Sequence, residues 1–417
     1  MTIRNGKHWL FLVFVSLTLS KDFFCWALAA STRSLLVRDL QTCFTPEQVI
    51  HRILREAAFF DGDALDPQER ADLARLVLVR LSKQWIAIDN EGRYPSDPPS
   101  LSSPILHHAS TSKENVAVVE CIAQILTKST ARSLLETKSV SYEALVEGTK
   151  AFSVISRLIS SCSTDEIISF WKQNAAIITP SLMDHEISGA HWAFQSMKHC
   201  QVPTALHRAW EDLNLPFEIV PRLLSNITQF TVENLRSEVN FKVDEIRTVS
   251  NKIVKERRQT AWEGDEGVGP FLYSDKQMPR SAWSPTVKKV RKVLSNPKGG
   301  HGQYYDCCLL NLYPDGGSGM RYHIDPDQGT LWDYHTAVVS VGATRRFSFR
   351  KIKPETVNNG KMNDSNQPHT FTLFHGDLTH MFGTCQDEYQ HCVKKAETKN
   401  DDAARASLVF KRSWKLN

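Results

Sequence analysis

Apolar residues recur every three to four positions through the first half of the chain, and in alternation or short unbroken runs through the second. The first spacing turns one face of a helix toward a core, whereas alternation sends side chains to the two faces of a strand. The helical pattern is clear in "TPEQVIHRILREAAFF", where Thr45 suits the N-cap and Pro46 the first helical position. It recurs in "DPQERADLARLVLVRLSKQW" and "STDEIISFWKQNAAII", with the loop "RYPSDPPSLSSP" between them, whose prolines and serines cannot continue a helix. No fixed-period repeat marks a solenoid. A helical region over 45–225 is predicted, and its pattern is compatible with scaffolding, with docking of a protein partner or with RNA binding.

Beyond Phe230 the texture changes to "EVNFKV", "YYDCCLLNLY", "TAVVSVG", "RRFSFR", "HTFTLFHG" and "RASLVF", separated by Gly, Pro and Asp. Many short strands at close spacing predict a sandwich or barrel. One helix interrupts them, "SPTVKKVRKVL", with Ser284 as cap, Pro285 leading, and Val287, Val290 and Leu294 on one face. Lys288, Lys289, Arg291 and Lys292 form the other face, suited to solvent or to a phosphate backbone.

At 417 residues the chain has room for two to three domains of about 150 residues each. With 41% hydrophobic and 23% charged residues it has the composition of an ordinary globular protein, so the bulk folds. A net charge of +4 means that any attraction to nucleic acid comes from local patches. Nine cysteines, with no C-x-x-C pair, argue against a disulfide framework and a structural zinc site. Near the N-terminus Arg4 and Lys7 precede "WLFLVFVSLTL", "CWALAAS" and "STRSLLVRDLQ". Residues 1–44 therefore read as a signal or transit presequence to an organelle, with a buried helix and an intracellular protein as the alternative. The apolar run is too short to span a bilayer comfortably, so no stable membrane span is expected in the mature protein.

The chemistry begins at "MRYHIDPDQG". On an extended segment His323 and Asp325 share a face and can aim a nitrogen and an oxygen at one point, two-thirds of a metal site. His335, His369, His375, His380 and His391 are candidates for the third ligand. His391, in "DEYQHCVKK", precedes a strand-like segment, whereas His335 lies too close in sequence to return easily across a barrel. Two His and one carboxylate on one face of a metal leave positions open, the arrangement of non-haem Fe(II) oxygenases.

From about Asn240 to Trp414 the chain resembles the AlkB-like dioxygenases dependent on Fe(II) and 2-oxoglutarate. The likeness rests on "RRQTAWEGD", "NLYPDG" followed by "HID", "VVSVGATRRFSFR", "FHGDLTHMFG", "YQHCVKK" and "ARASLVFKR", in that order. It implies an α+β protein, an N-terminal helical region followed over 230–417 by a double-stranded β-helix (jelly-roll) dioxygenase domain with a lid around 254–280. It implies that His323, Asp325 and His391 hold Fe(II) and are catalytic. Asn311, Tyr313, Arg405, Ser407 and Lys411 would bind 2-oxoglutarate, with the Arg405 fork on the distal carboxylate. Lys411 stands where the family has a second arginine. Thr260, Trp262 and Asp327 would touch substrate, although Pro326 and "QGTLWDY" depart from the acidic run usual there, and Asp275 replaces a frequent glycine.

Fe(II), 2-oxoglutarate and dioxygen are the implied cofactor and co-substrates. The implied reaction decarboxylates 2-oxoglutarate to succinate and hydroxylates an N-methyl carbon, which is lost as formaldehyde. DNA or RNA with alkylated bases is the expected substrate. An AlkB-like hydroxylase or demethylase of protein or a small molecule is the alternative, and the intact His, Asp, His and Arg set speaks against a non-catalytic binding protein.

Overall fold

The computed structural model describes residues 66–93, 113–135, 141–224, 227, 230–247, 252–273, 276–297, 302–352, 367–398 and 401–414. The presequence reading of 1–44, the Thr45 cap, most of the "RYPSDPPSLSSP" loop and Asp275 lie outside them. Among the described residues six α-helices come first: α1 Pro67–Arg93, α2 Lys113–Leu135, α3 Glu143–Leu158, α4 Asp165–Ile178, α5 Asp184–Ser196 and α6 Thr204–Asp212. Their apolar stripes meet in one core that includes Leu78, Leu81, Leu126, Phe152, Trp171 and Phe194. Trp171 is fully buried and donates its indole N–H to Thr149 Oγ1 at 3.1 Å, so the ring is enclosed without an orphaned donor. Helix α1 continues past the "DPQERADLARLVLVRLSKQW" run to Arg93.

The second half forms two antiparallel sheets. The larger contains β1 (Phe217–Val220), β4 (Gln259–Gly264), β7 (Cys307–Tyr313), β9 (Thr336–Gly342), β12 (Leu378–Met381) and β14 (Arg405–Lys411), in the order β1-β12-β9-β14-β7-β4. The smaller runs β11 (His369–Leu373), β10 (Arg345–Lys351), β13 (Tyr389–Val393) and β8 (Met320–His323). The hairpins β2 (Glu245–Arg247) with β3 (Ile253–Lys255), and β5 (Phe271–Tyr273) with β6 (Lys276–Met278), lie in the predicted lid region. Helices α7 (Val232–Glu238), α8 (Pro285–Leu294) and α9 (Cys385–Glu388) complete the described elements.

Alternation sorts the larger sheet into two faces. Leu309, Tyr313, Val338 and Val409 point inward to Phe347, Phe349 and Phe371 of the smaller sheet, and Phe217 stacks on Phe349 with ring centroids 3.8 Å apart. Leu310, Leu312, Val339, Leu408 and Phe410 point outward and are covered by Val232 and Leu235 of α7 and Val287, Val290 and Leu294 of α8. Each of those three α8 side chains is fully buried, which stabilises the helix on the sheet by roughly 1.5–3 kcal/mol apiece.

Four local expectations change. Strand β1 falls inside the stretch expected to be helical; with four residues it offers only Phe217 and Ile219 as an alternating signal. "EVNFKV" is the end of α7 followed by a single bridge from Lys242 to Thr260. Ser284 precedes α8, yet its hydroxyl donates to Glu263 Oε2 at 3.2 Å and makes no cap bond. Arg291 leaves the basic face of α8 and reaches back to Asp265, its guanidinium lying over Trp283 and Tyr304.

Polar contacts tie the helices to the sheets. Arg157 of α3 makes a two-pronged ion pair with Asp377, which also accepts the backbone N–H of Phe374 and Arg222. Asn90 of α1 donates to Thr344 O and Asp401 Oδ1 and accepts from the Thr344 N–H. Along edge strand β11, the Ser188 hydroxyl of α5 lies 2.7 Å from His369 Nδ1. Among the described residues no helix is long and apolar enough to cross a membrane.

Candidate metal centre

His323 ends β8 and pairs directly with His391 on the neighbouring strand β13, so the register brings both imidazoles to the inner face at one level. Asp325 follows two residues after His323. Its Oδ1 lies 3.7 Å from His323 Nε2 and 3.7 Å from His391 Nε2. The three ligand atoms lie within 4.8 Å of one another, and among the described residues this is the one His, Cys, Asp and Glu group so arranged. The other histidines offered as third ligand are elsewhere: His335 and His380 contact each other, and His369 contacts Ser188.

Second contacts orient the triad. His323 Nδ1 lies 2.9 Å from Arg321 O, a bond that leaves Nε2 as the lone-pair nitrogen. The Asp325 backbone N–H donates to Gln386 Oε1 at 2.8 Å, and Lys411 Nζ donates to Asp325 Oδ2 at 2.8 Å. Burial alone pushes the Asp325 carboxyl up, but Lys411 and the two imidazoles outweigh it and hold it well below the usual carboxylate range. Burial pushes His391 down to about 3 and lowers His323 as well. Two neutral imidazoles and one ionised carboxylate are the protonation states a divalent metal requires.

Beside the triad a polar row runs down the inner face of the larger sheet. Ser407 of β14 stands in register between Asn311 of β7 and Ser340 of β9. Two residues earlier on the same face, Arg405 is 1% exposed and donates to Ser340 Oγ at 3.0 Å, and its guanidinium lies 5.6 Å from the Tyr313 ring centroid. Its Nε and Nη1 are buried without a hydrogen-bond partner. Burial draws its pKa down to about 10. A fully buried fork with two idle donors is costly unless an anion joins it, so the row fits a dicarboxylate lying between Arg405 and the triad.

Not every expected residue faces this space freely. The Lys411 ammonium is taken by Asp325 and by Thr336 Oγ1 at 3.4 Å, so it acts on the metal ligand rather than standing ready for a co-substrate carboxylate. Trp262 shares the inner face with Thr260, but its ring is 1% exposed, packs on Phe271 and Trp332, and donates to Gly269 O. Core packing thus replaces the expected stacking on substrate. The Thr260 hydroxyl meets Lys276 Nζ at 2.6 Å and Met278 Sδ at 3.4 Å. Asp327 is an exposed turn residue with φ of 65°, whose carbonyl accepts from Leu331 and Trp332. Sequence reading missed Ser340, Thr336, Arg258 and Gln386. The first two could have been found as lone polar residues on the inner positions of an otherwise apolar strand.

Residues 218–411 match the family model of the 2OG-Fe(II) oxygenase superfamily. An uncharacterized protein of Acanthamoeba polyphaga mimivirus is 29% identical over 165 residues, 40% of this chain and 78% of that protein. The human alpha-ketoglutarate-dependent dioxygenase alkB homolog 3 is 30% identical over 155 residues, 37% of this chain and 51% of that protein. This chain therefore spans about half the length of the alkB homolog 3 relatives it matches. The solved structure of OsALKBH1 aligns with 48% of this chain and 98% of its own at 16% identity and a TM-score of 0.30.

Proposed function

We propose that this chain, whose residues 218–411 are an AlkB-like oxygenase domain that uses Fe(II), 2-oxoglutarate and dioxygen, oxidatively demethylates alkylated bases of DNA or RNA. The reading includes a double-stranded β-helix for the two facing sheets, with an oxygenase domain that begins at β1 and a helical region, α1–α6, before it. His323, Asp325 and His391 would hold the metal. Arg405 and Asn311 would hold 2-oxoglutarate, with Tyr313 beneath the guanidinium and Ser407 between them. The metal with 2-oxoglutarate supplies oxidation of a substrate C–H bond by dioxygen, which for an N-methyl group ends in loss of formaldehyde. The chain's own part is positioning: Lys411 keeps Asp325 ionised, the buried imidazoles stay neutral, and Arg405 fixes the co-substrate's far carboxylate.

The observation that carries the substrate reading is an exposed apolar rim formed by the loop that leaves Asp325 and the residues after β14. Leu331, Tyr334 and Trp414 are 53, 42 and 38% exposed, the Trp414 N–H donates to Leu331 O at 2.8 Å, and Tyr334 meets Trp414 edge to face at 5.6 Å. An unstacked base has two flat faces that such a rim can accept. Exposed Lys288, Lys289 and Lys292 on α8 add positive charge on the outer side of the larger sheet. A protein or small-molecule substrate is the second reading, favoured by the packing of Trp262 into the core.

Oligonucleotides carrying methylated adenine or cytosine, single- and double-stranded, would be incubated with Fe(II), 2-oxoglutarate and oxygen and weighed by mass spectrometry. Loss of a methyl mass that requires both Fe(II) and 2-oxoglutarate, and is absent in His323→Ala and Asp325→Ala, is the expected result. Succinate formation with every oligonucleotide unchanged would move the assignment to protein or small-molecule substrates.

A further inference from the structure

Glu256 is the hub of a buried polar network that joins the β5–β6 hairpin to Asn311. Its Oε1 accepts from Arg258 Nε at 3.1 Å, and Arg258 Nη1 donates to Asn311 Oδ1 at 2.9 Å. Its other oxygen lies 3.6 Å from Lys276 Nζ, the first residue of β6. The same ammonium contacts Asp244 Oδ2 at 2.5 Å and donates to Thr260 Oγ1. The side chains of Arg258, Glu256 and Lys276 are 8, 4 and 10% exposed. Glu256 Oε2 is buried with no hydrogen bond, so the carboxylate is hydrogen-bonded to Arg258 and held to the hairpin by charge alone.

An asparagine amide can present either its oxygen or its nitrogen, and its neighbours decide which. With Asn311 Oδ1 held by a guanidinium, the amide nitrogen is the group left to donate, which suits a carboxylate ligand. Arg258 holds that orientation while its own fork is fixed, and the bond to Glu256 helps fix it. Lys276, bonded to Thr260 and paired with Asp244, lies within ion-pair distance of the other Glu256 oxygen and so links a hairpin at the edge of the site to the amide inside it. Buried charged groups in one network are strongly coupled, so a change at either end is felt at the other.

We propose that Glu256 and Lys276 are positioning residues that couple seating of the β5–β6 hairpin to binding of 2-oxoglutarate, acting through Arg258 on the Asn311 amide. The proposal rests on the reading that Asn311 faces the co-substrate.

The test measures 2-oxoglutarate affinity calorimetrically and anaerobically in the Mn(II)-loaded full chain, which holds the ligand without turnover. Amide exchange of Phe271–Tyr273 and Lys276–Met278 is followed with and without 2-oxoglutarate. Glu256→Gln and Lys276→Met are each expected to weaken 2-oxoglutarate by about five- to tenfold while leaving Mn(II) affinity unchanged. Lys276→Arg restores the affinity. In the native chain 2-oxoglutarate slows exchange in the hairpin, and in Glu256→Gln it does not. If Asn311→Ala weakens the ligand while both network variants bind it as the native chain does, the coupling is wrong and the Asn311 reading stands. If Asn311→Ala binds normally, the Asn311 reading fails and the coupling with it. Equal loss of Mn(II) affinity, thermal stability and 2-oxoglutarate affinity in Glu256→Gln would make the network merely structural and would overturn the proposal.

Discussion

Lys411 Nζ lies 2.8 Å from Asp325 Oδ2, so the one carboxylate of the candidate triad is gripped from behind by an ammonium that is itself 2% exposed. The oxygen that faces the two imidazoles is the other one, Oδ1. The pair therefore fixes both the charge of Asp325 and which oxygen is offered to a metal.

Replacing Lys411 by Met removes the grip and lets burial raise the Asp325 pKa. Metal affinity should fall by about 10- to 100-fold, the usual cost of losing an outer partner of a ligand. Lys411→Arg retains the charge and should keep most of the affinity. A Mn(II) titration decides the matter: native affinity in Lys411→Met would mean that Asp325 does not depend on this contact.

Arg405→Met should separate stability from binding. It removes a buried cation with two idle donors, so the ligand-free protein should melt at a higher temperature than the native chain. At the same time 2-oxoglutarate affinity should drop by about 100-fold or more, since charge-assisted bonds are worth ~1.5–3 kcal/mol each. A lower melting temperature together with intact 2-oxoglutarate binding would contradict both halves.

Burial holds His191 and His369 near a pKa of about 3, down from an ordinary 6.5, so both are neutral in the folded chain at neutral pH. Between those values the unfolded chain binds protons that the folded chain refuses. Stability is therefore complete above about 6.5 and falls as pH drops, by roughly 2 kcal/mol per histidine at about pH 5. Melting curves at neutral pH and near pH 5 should show the loss, and His191→Phe, which keeps an aromatic ring against Trp210, should reduce it. Identical slopes in both proteins would show that His191 does not contribute.

Breaking the Arg157–Asp377 pair takes from a carboxylate that is 0% exposed the guanidinium that holds both its oxygens. Arg157→Ala should destabilise by about 3–5 kcal/mol in urea unfolding. A loss below about 1 kcal/mol would mean that the helices and the sheets are not energetically joined there.

The strands that sequence reading located well, β9 and β14, are near-continuous apolar runs whose limits are set by glycine, arginine and a change of polarity. Strand β1 was lost because its partner β12 lies far along the chain, Phe217 pairing with Met381, and a four-residue alternation carries no such information. His323 and Asp325 were visible from their spacing alone. His391 needed the family resemblance, because its pairing with His323 is a long-range register that local pattern does not encode. Trp262 shows the reverse limit: its face was readable, but whether that face was open or filled depended on Phe271 and Trp332. Lys411 illustrates the same point for charge, since its partner Asp325 lies 86 residues away in sequence and only the fold brings the two together.

The helix α5 along edge strand β11, and the ion pair from α3 to Asp377, have a consequence for limited proteolysis. A cut chain starting near Phe217 would retain every candidate metal ligand. It would also expose an unpaired strand edge and a buried acid that has lost the Arg157 fork. Such a fragment is expected to self-associate through β11 rather than persist as a soluble enzyme, so the helices serve the sheets as a built-in solubility partner.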